Sequence, residues 1–221
     1  DHRDLHSFPT RRSSDLSYGA NEESFQRTGL MEAAKGYYLN IGNQSTEVKF
    51  NPRFMSSVSV SRAVMDANII ISLPKFKTHG LTVLTGAIKN SYGIMPGAQK
   101  AALHKAAGNP ATFHEVIVEV FKIRPPDLFI VDAVVGMEGN GPASPDLRDI
   151  GLVLASDNAV ALDSVIATLM GCDPSQLPFL QRSKREGLGD FSPEKIQIIG
   201  ELVPIRSEER RVGKECRFRW S

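Results

Sequence analysis

Between Leu73 and Gly93 the chain reads LPKFKTHGLTVLTGAIKNSYG. Lys75, Lys77, Thr78 and His79 come first, then Thr82, Thr85, Lys89 and Asn90. Ammonium groups, an imidazole and several hydroxyls this close together suit a small anion. The cations supply charge, the hydroxyls supply hydrogen bonds, and a short helix starting near Thr85 would add free backbone N–H groups. Lys75, Lys77 and His79, with Asp132 farther along the chain, are the candidate catalytic set, and Thr82, Thr85, Lys89, Asn90, Glu138, Gly139 and Gly141 the binding groups. The competing reading is a solvated basic loop, because lysines mostly lie at surfaces. Position favours the site. The segment follows an apolar run, and in open α/β sheets ligands sit beyond the carboxyl ends of the strands.

A second segment offers the opposite charge. Asp132 stands inside the apolar run DLFIVDAVV (127–135), and Glu138, Gly139 and Gly141 follow in GMEGNGPASP (136–145). A carboxylate is costly to bury unpaired. Asp132 is therefore either a structural group satisfying backbone donors or a partner of a lysine or His79, with an acid/base role open to it. The glycines let a backbone approach a ligand closely. Their spacing is not the dinucleotide fingerprint G-x-G-x-x-G. If both apolar runs are parallel strands, the basic and the acidic loops open on one edge of the sheet. Lys75, Lys77, His79 and Lys89 would then face Asp132 and Glu138.

Other candidates carry less. His104, beside Lys100 and Lys105, extends the anion site; a His104–His114 metal pair is conceivable, but His114 reads better as a capping or surface residue. Asp163 lies on an apolar helix as a buried contact or a site residue. No metal site is expected. Cys172 follows a glycine at a helix end and reads as a small buried hydrophobe. P-loop, zincin, hydrolase-elbow and paired C-x-x-C motifs are absent from the sequence.

The two ends read differently from the rest. Phe8–Leu16, FPTRRSSDL, translates the sequencing-adapter string TTC CCT ACA CGA CGC TCT TCC GAT CT. The segment from Arg206, RSEERRVGK, translates its reverse complement. Residues 1–16 and 206–221 are accordingly expected to be adapter-derived and are set aside from fold reasoning. The first is charge-balanced and the second carries a net +3, so a chain of +1 overall becomes −2 over residues 17–205. That removes any argument for nucleic acid or an anionic membrane as a partner. Cys216 goes with the adapter, leaving Cys172 alone, which makes neither a disulfide framework nor a thiolate cluster. No apolar run reaches membrane-spanning length, and the expected location is the cytoplasm. Export stays open because the natural N-terminus is expected to be missing.

The elements that must position these residues alternate. Residues 24–34 read as a helix end, 37–41 and 47–50 as short strands, and 58–67 as a helix. Residues 68–73, NIIISL, read as a strand buried on both faces. A short helix is expected over 84–92, and further helices over 98–107 and from Asn109-Pro110 to Phe121. Strands follow at 127–135 and 150–155, helices at 158–170 and 178–186, and a last strand at 196–199. This pattern predicts an α/β fold: a mostly parallel sheet with helices on both faces, in a single truncated domain over residues 17–205.

The words Lys-Phe-Lys-Thr-His (75–79) and Gly-Ala-Ile-Lys-Asn (86–90), with the helix carrying His104 and the run from Asp127 through Gly136–Pro142, resemble the DUF362 family. The likeness covers residues 17–205. The family is one of unknown function, and many members carry a ferredoxin-like iron–sulfur module after this domain. The resemblance implies a redox-associated protein whose cluster lies in a missing C-terminal part, with no cofactor in this fragment. Two other readings stand beside it: an enzyme acting on a small anionic substrate through Lys75, Lys77 and His79, and a non-catalytic ligand-binding module.

Overall fold

The computed structural model describes residues 20–42, 44–139 and 146–201. In chain order the elements begin with helices α1 (Ala20–Arg27) and α2 (Leu30–Ala33), strands β1 (Ser45–Lys49) and β2 (Ser57–Ser61), and helix α3 (Arg62–Asp66). Next come β3 (Ile71–Ser72), β4 (Lys75–His79), β5 (Val83–Thr85), α4 (Ala87–Asn90), α5 (Gly97–Ala107) and α6 (Pro110–Ile123). The long strands β6 (Leu128–Met137) and β7 (Leu147–Ser156) follow, then α7 (Ala159–Leu169) and α8 (Pro178–Arg185). No helix among the described residues is long and apolar enough to cross a membrane.

The chain divides into two compact units. Of the described residues, one comprises those up to Asn68 together with Gly93–Gly108, and the other Ile69–Tyr92 and those from Asn109 to Glu201. The first holds an antiparallel β1–β2 hairpin in which Val48 faces Val58. The expected helix over 58–67 is a strand up to Ser61 and a helix only over Arg62–Asp66. Serine and valine alternate in SVSVS with a period of two, which buries Val58 and Val60 on one face and overrides the weaker helical spacing. The expected strands at 37–41 and 196–199 do not form. A strand needs a partner for its backbone groups, and no strand pairs with either segment.

The second unit is built on β6. Ile71 and Ser72 of β3 pair in parallel with Leu128 and Phe129, and Lys75 and Lys77 of β4 pair in parallel with Asp132 and Met137. β7 runs antiparallel along the other edge, and β5 antiparallel along β4. The α/β class is as the sequence predicts, with a parallel centre and antiparallel flanks. β3 and β4 occupy successive stretches of one edge of β6. The Asp132 N–H donates to the Pro74 carbonyl (2.9 Å) and bridges the gap between them.

Helix starts follow the sequence closely. Asn109 accepts from Thr112 N–H (2.9 Å) with Pro110 in the first turn of α6, and Asn158 accepts from Ala161 N–H (2.9 Å) ahead of α7. Helices α4, α6, α7 and α8 pack on one another. Between them and the sheet lie Phe113, Ile117, Val120, Phe129, Val131, Ile166 and Phe179, all buried. Each such side chain contributes about 1.5–3 kcal/mol by leaving water. The helices cover the sheet face carrying Phe76, Phe129, Val131 and Ala133. The opposite face leaves Ile71, Asp132, Val134 and Val153 exposed, whereas Thr85 and Met137 farther along are buried. The run 68–73, expected to be buried on both sides, leaves Ile69, Ile71 and Leu73 exposed.

Candidate functional site

Lys75, Lys77, Thr78 and His79 were expected in a loop and lie instead in β4. The apolar run before them contributes only two paired residues, so the basic segment itself becomes the strand beside β6. Alternation then sorts the side chains. Phe76 and Thr78 are buried on the helix side, while Lys75, Lys77 and His79 share the opposite face.

On that face Lys75 Nζ meets Asp132 Oδ2 at 2.6 Å. Asp132 is not buried, contrary to expectation; its side chain is exposed, and Oδ1 also accepts from Val134 N–H (3.1 Å). Partial burial pushes the Asp132 carboxyl up, but the Lys75 hydrogen bond and the Val134 N–H outweigh it and hold the group below the usual carboxylate range. Two residues on, Lys77 stands opposite Met137 on one side and Thr85 on the other, forming one row across β6, β4 and β5. Burial lowers the Lys77 pKa. Thr85 is 6% exposed, and its Oγ1 is a buried atom with no hydrogen-bond partner. Facing residues of an antiparallel pair have Cβ atoms about 4.5–5.5 Å apart, so the Thr85 hydroxyl and the Lys77 stem are neighbours.

The turn between β4 and β5 fixes its own side chains. His79 Nδ1 accepts from Leu81 N–H (3.2 Å), which places the proton of a neutral ring on Nε2. The Thr82 hydroxyl donates to the Leu84 carbonyl (2.9 Å), so it braces the turn. Val83 has a φ of 69°, a left-handed conformation that β-branched side chains rarely adopt. Strain of this kind, about 1–3 kcal/mol, persists where the surroundings impose it. Here it lies directly opposite His79.

The start of the glycine-rich loop lies at the same end of the sheet. Thr78 Oγ1 donates to the Gly139 carbonyl (2.8 Å), so strand β4 and the segment after β6 are adjacent. Glu138 does not turn to the lysines: its Oε2 lies 3.4 Å from Arg148 Nη1, and its N–H donates to the Asp146 carbonyl. Gly141 lies outside the described residues. Lys89 Nζ sits over the ring of Tyr92, 5.2 Å from its centroid, and Asn90 Nδ2 donates to Ser72 Oγ (2.9 Å).

The expected free N–H groups near Thr85 are already taken. The Asp163 carboxylate of α7, fully buried, accepts from Ala87 N–H (2.5 Å) and Ile88 N–H (3.0 Å) at the start of α4. The acceptor at that helix end is the protein's own side chain. Gly86 makes room for it: a Cβ there would overlap Asp163 Oδ1 and lie 2.8 Å from its Cγ. Gly86 and Val83 are the position-setting residues that spacing alone missed.

His114, expected at the surface or on a cap, is a core residue of the second unit. It stacks on Phe179 with centroids 5.7 Å apart, and its Nδ1 is buried without a partner. Burial pushes its pKa down to about 4, against a raising hydrogen bond to the Leu81 backbone. Phe113, Ile117, Val118 and Phe121 around it on α6 supplied an apolar context that could have flagged it. His104 lies on α5 in the first unit. Among the described residues no three His, Cys, Asp or Glu side chains gather as a metal site.

The DUF362 family profile, described as a domain of unknown function, matches residues 11–168. The chain belongs to the DUF362 family. The match begins at Arg11, inside the segment read as adapter, and takes in β4, β5, α4, β6 and β7 whole. The chain is 40% identical over 136 residues to the thylakoid-associated protein sll1697 of Synechocystis sp., a stretch equal to 61% of this chain and 42% of that relative. It therefore spans less than half the relative's length. No solved structure matches the chain.

Proposed function

We propose that the chain binds a small anion at the β4–β5 end of its sheet, within a redox-associated protein whose iron–sulfur module is carried by another part of the polypeptide. The observation that supports the anion site most directly is the unpartnered Thr85 hydroxyl in the same row as Lys77. A buried donor left unpaired carries a desolvation cost of about 1–3 kcal/mol, which a bound oxyanion would remove. Lys77 supplies charge in a desolvated setting, and the tautomer of His79 held by Leu81 supplies an N–H donor on the same face. Phosphate, sulfate and small carboxylates fit this set. Lys75 and Asp132 neutralise each other, so they orient the approach more than they charge the site. The catalytic reading, with Lys75, Lys77, His79 and Asp132 transferring protons, has less behind it for that reason.

Thermal melts with phosphate, sulfate and acetate test the anion site. An anion at a hundred times its Kd should stabilise the fold by about 2.7 kcal/mol. Thr85→Val removes the orphan hydroxyl with little change of shape. It should leave the ligand-free protein as stable as the parent or more so, while the anion-induced shift in Tm shrinks. If no anion raises the Tm of the unaltered chain, the lysines are partners of carboxylates and nothing more.

The redox association rests on the family resemblance, and the cluster is proposed outside this chain. Cys172 is the only free cysteine among the described residues. Cluster ligation ordinarily takes several thiolates. Purified protein should carry iron well below one equivalent by metal analysis. A brown protein with one cluster per chain, retained in Cys216→Ala, would overturn this placement. The relative is named for association with thylakoids, so attachment to such a membrane surface stands beside the cytoplasmic location as a proposal for this chain.

A further inference from the structure

Among the described residues, the stretch of the second unit's sheet around Asp132 is uncovered on the face away from the helices, while Thr85 and Met137 farther along are buried. Leu73 is 70% exposed, Val153 64%, Ile71 53% and Val134 52%. Register places them together. Ile71 pairs with Leu128, and Asp132 pairs with Lys75 on one side and Val153 on the other, so these side chains project from the same surface. The centre of this surface is the Lys75–Asp132 ion pair, with apolar side chains around it.

A sheet with a parallel centre is ordinarily covered on both faces, because its strands are apolar on both. β6 follows this rule in composition: Phe129, Val131 and Ala133 point one way, Leu128, Ile130 and Val134 the other. The second set is as apolar as the first, yet Leu128 and Ile130 are only part-buried and Val134 is exposed. Clustered exposed apolar surface of this kind marks an interaction site. The curated relative has more than half its length outside the stretch it shares with this chain. We infer that the face of Ile71, Leu73, Val134 and Val153 is the seat of a further layer of polypeptide from the same, longer protein. That layer presents an apolar stripe to the strands and polar groups over the Lys75–Asp132 pair. It closes the row of Lys75 and Lys77 from above. The inference rests on the exposed apolar face and stands whether or not an anion binds.

Cysteine labelling tests it. Val134→Cys is made in this chain and at the aligned position of full-length sll1697, and maleimide labelling rates are compared, each against its unsubstituted parent. Far-UV circular dichroism confirms that both variants are folded. The cysteine in this chain should label at least tenfold faster than its counterpart in the full-length relative. Equal rates would overturn the inference, since the face would then be open in the longer protein too. Protection that disappears on dilution, with a monomer–dimer equilibrium in sedimentation, would also overturn it by showing that a second copy is the occupant.

Discussion

Arg182→Ala should destabilise the second unit by about 3 kcal/mol, at the lower end of the ~3–5 kcal/mol lost when one partner of a buried charge pair is removed. Arg182 of α8 is largely buried between α6 and α8. Its Nη1 reaches Glu115 Oε2 at 2.8 Å, its Nε reaches Glu186 Oε1 at 2.7 Å, and its Nη2 is paired with Glu119 Oε1. Lys122 adds a second cation, 2.7 Å from Glu186 Oε2 and 3.3 Å from Glu119 Oε2. Three carboxylates therefore share two cations. Removing Arg182 leaves three negative charges on one ammonium, and the repulsion comes on top of the lost packing of the arginine stem. Burial pushes Glu186 up, yet the hydrogen bonds from Lys122 and Arg182 hold it below the usual range. A depressed carboxylate pKa contributes stability above its unfolded value that is lost as pH falls through the folded one. In Arg182→Ala that acid-side loss should shrink. Arg182→Lys keeps the charge but not the planar fork, and should fall between the two. Urea titrations at neutral pH measure the difference. A loss below 1 kcal/mol in Arg182→Ala would show the cluster to be a solvated surface network.

How much of this was legible in the sequence depended on which signal each residue gave. Helices α6 and α7 were readable because Asn109-Pro110 and Asn158 are local signals: the capping atom lies three residues from the N–H it satisfies. β6 and β7 were readable as apolar runs of strand length. β2 was missed because a five-residue alternation of serine and valine also fits part of a helical stripe, and only pairing with β1 decides. The run at 68–73 was read as buried on both sides because apolar composition says that a face wants cover, not that cover is present.

The candidate site was legible as a set of residue types and much less so as an arrangement. The sequence brought Lys75 and Asp132 to opposite sides of the same crevice; the fold pairs them within one sheet face. Glu138 was grouped with the lysines through its position in the glycine-rich loop. The residue that claims it, Arg148, is ten positions later on β7, and hairpin register rather than loop composition puts it there. Thr85 was named as a binding group because it is a hydroxyl near cations. Its distinguishing feature, a buried oxygen without a partner, depends on what surrounds it and has no sequence signature.

Asp163, outside the anion-site set, ties the start of α4 to α7 through the N–H groups of Ala87 and Ile88. Gly86→Ala should cost about 3 kcal/mol, because its new Cβ would overlap Asp163 Oδ1, lie 2.8 Å from Cγ and meet Ile166 Cδ1 at 3.2 Å. Overpacking of this kind costs about 1–3 kcal/mol, and the displaced carboxylate would also abandon the N–H groups of Ala87 and Ile88, a cap of about 1 kcal/mol. Backbone strain plays no part, since Gly86 has a φ of −135°. Asp163→Ala should be harmful for a different reason: it leaves two buried N–H groups unpaired, at about 1–3 kcal/mol. The two changes should not add. Removing the carboxylate vacates the space the new methyl needs, so the double variant should be at least 1 kcal/mol more stable than the sum of the singles predicts, a coupling expected of touching residues at roughly 0.5–3 kcal/mol. Burial pushes the Asp163 carboxyl up to about 7, although both backbone N–H groups pull the other way. A raised acid favours the folded state in its protonated form. Its contribution is complete below the unfolded carboxyl pKa of about 3.9 and falls as pH rises toward 7, by about 1.4 kcal/mol per pH unit at the steepest. Asp163→Asn cannot titrate, so its stability should lose that slope between pH 4 and about 7 while lying below the parent at the acid end. Urea titrations of the four proteins and the asparagine variant across this range give both readings. Strict additivity of Gly86→Ala and Asp163→Ala, or an unchanged slope in Asp163→Asn, would remove Asp163 from the start of α4 as the group that holds Thr85, Gly86 and Lys89 in place.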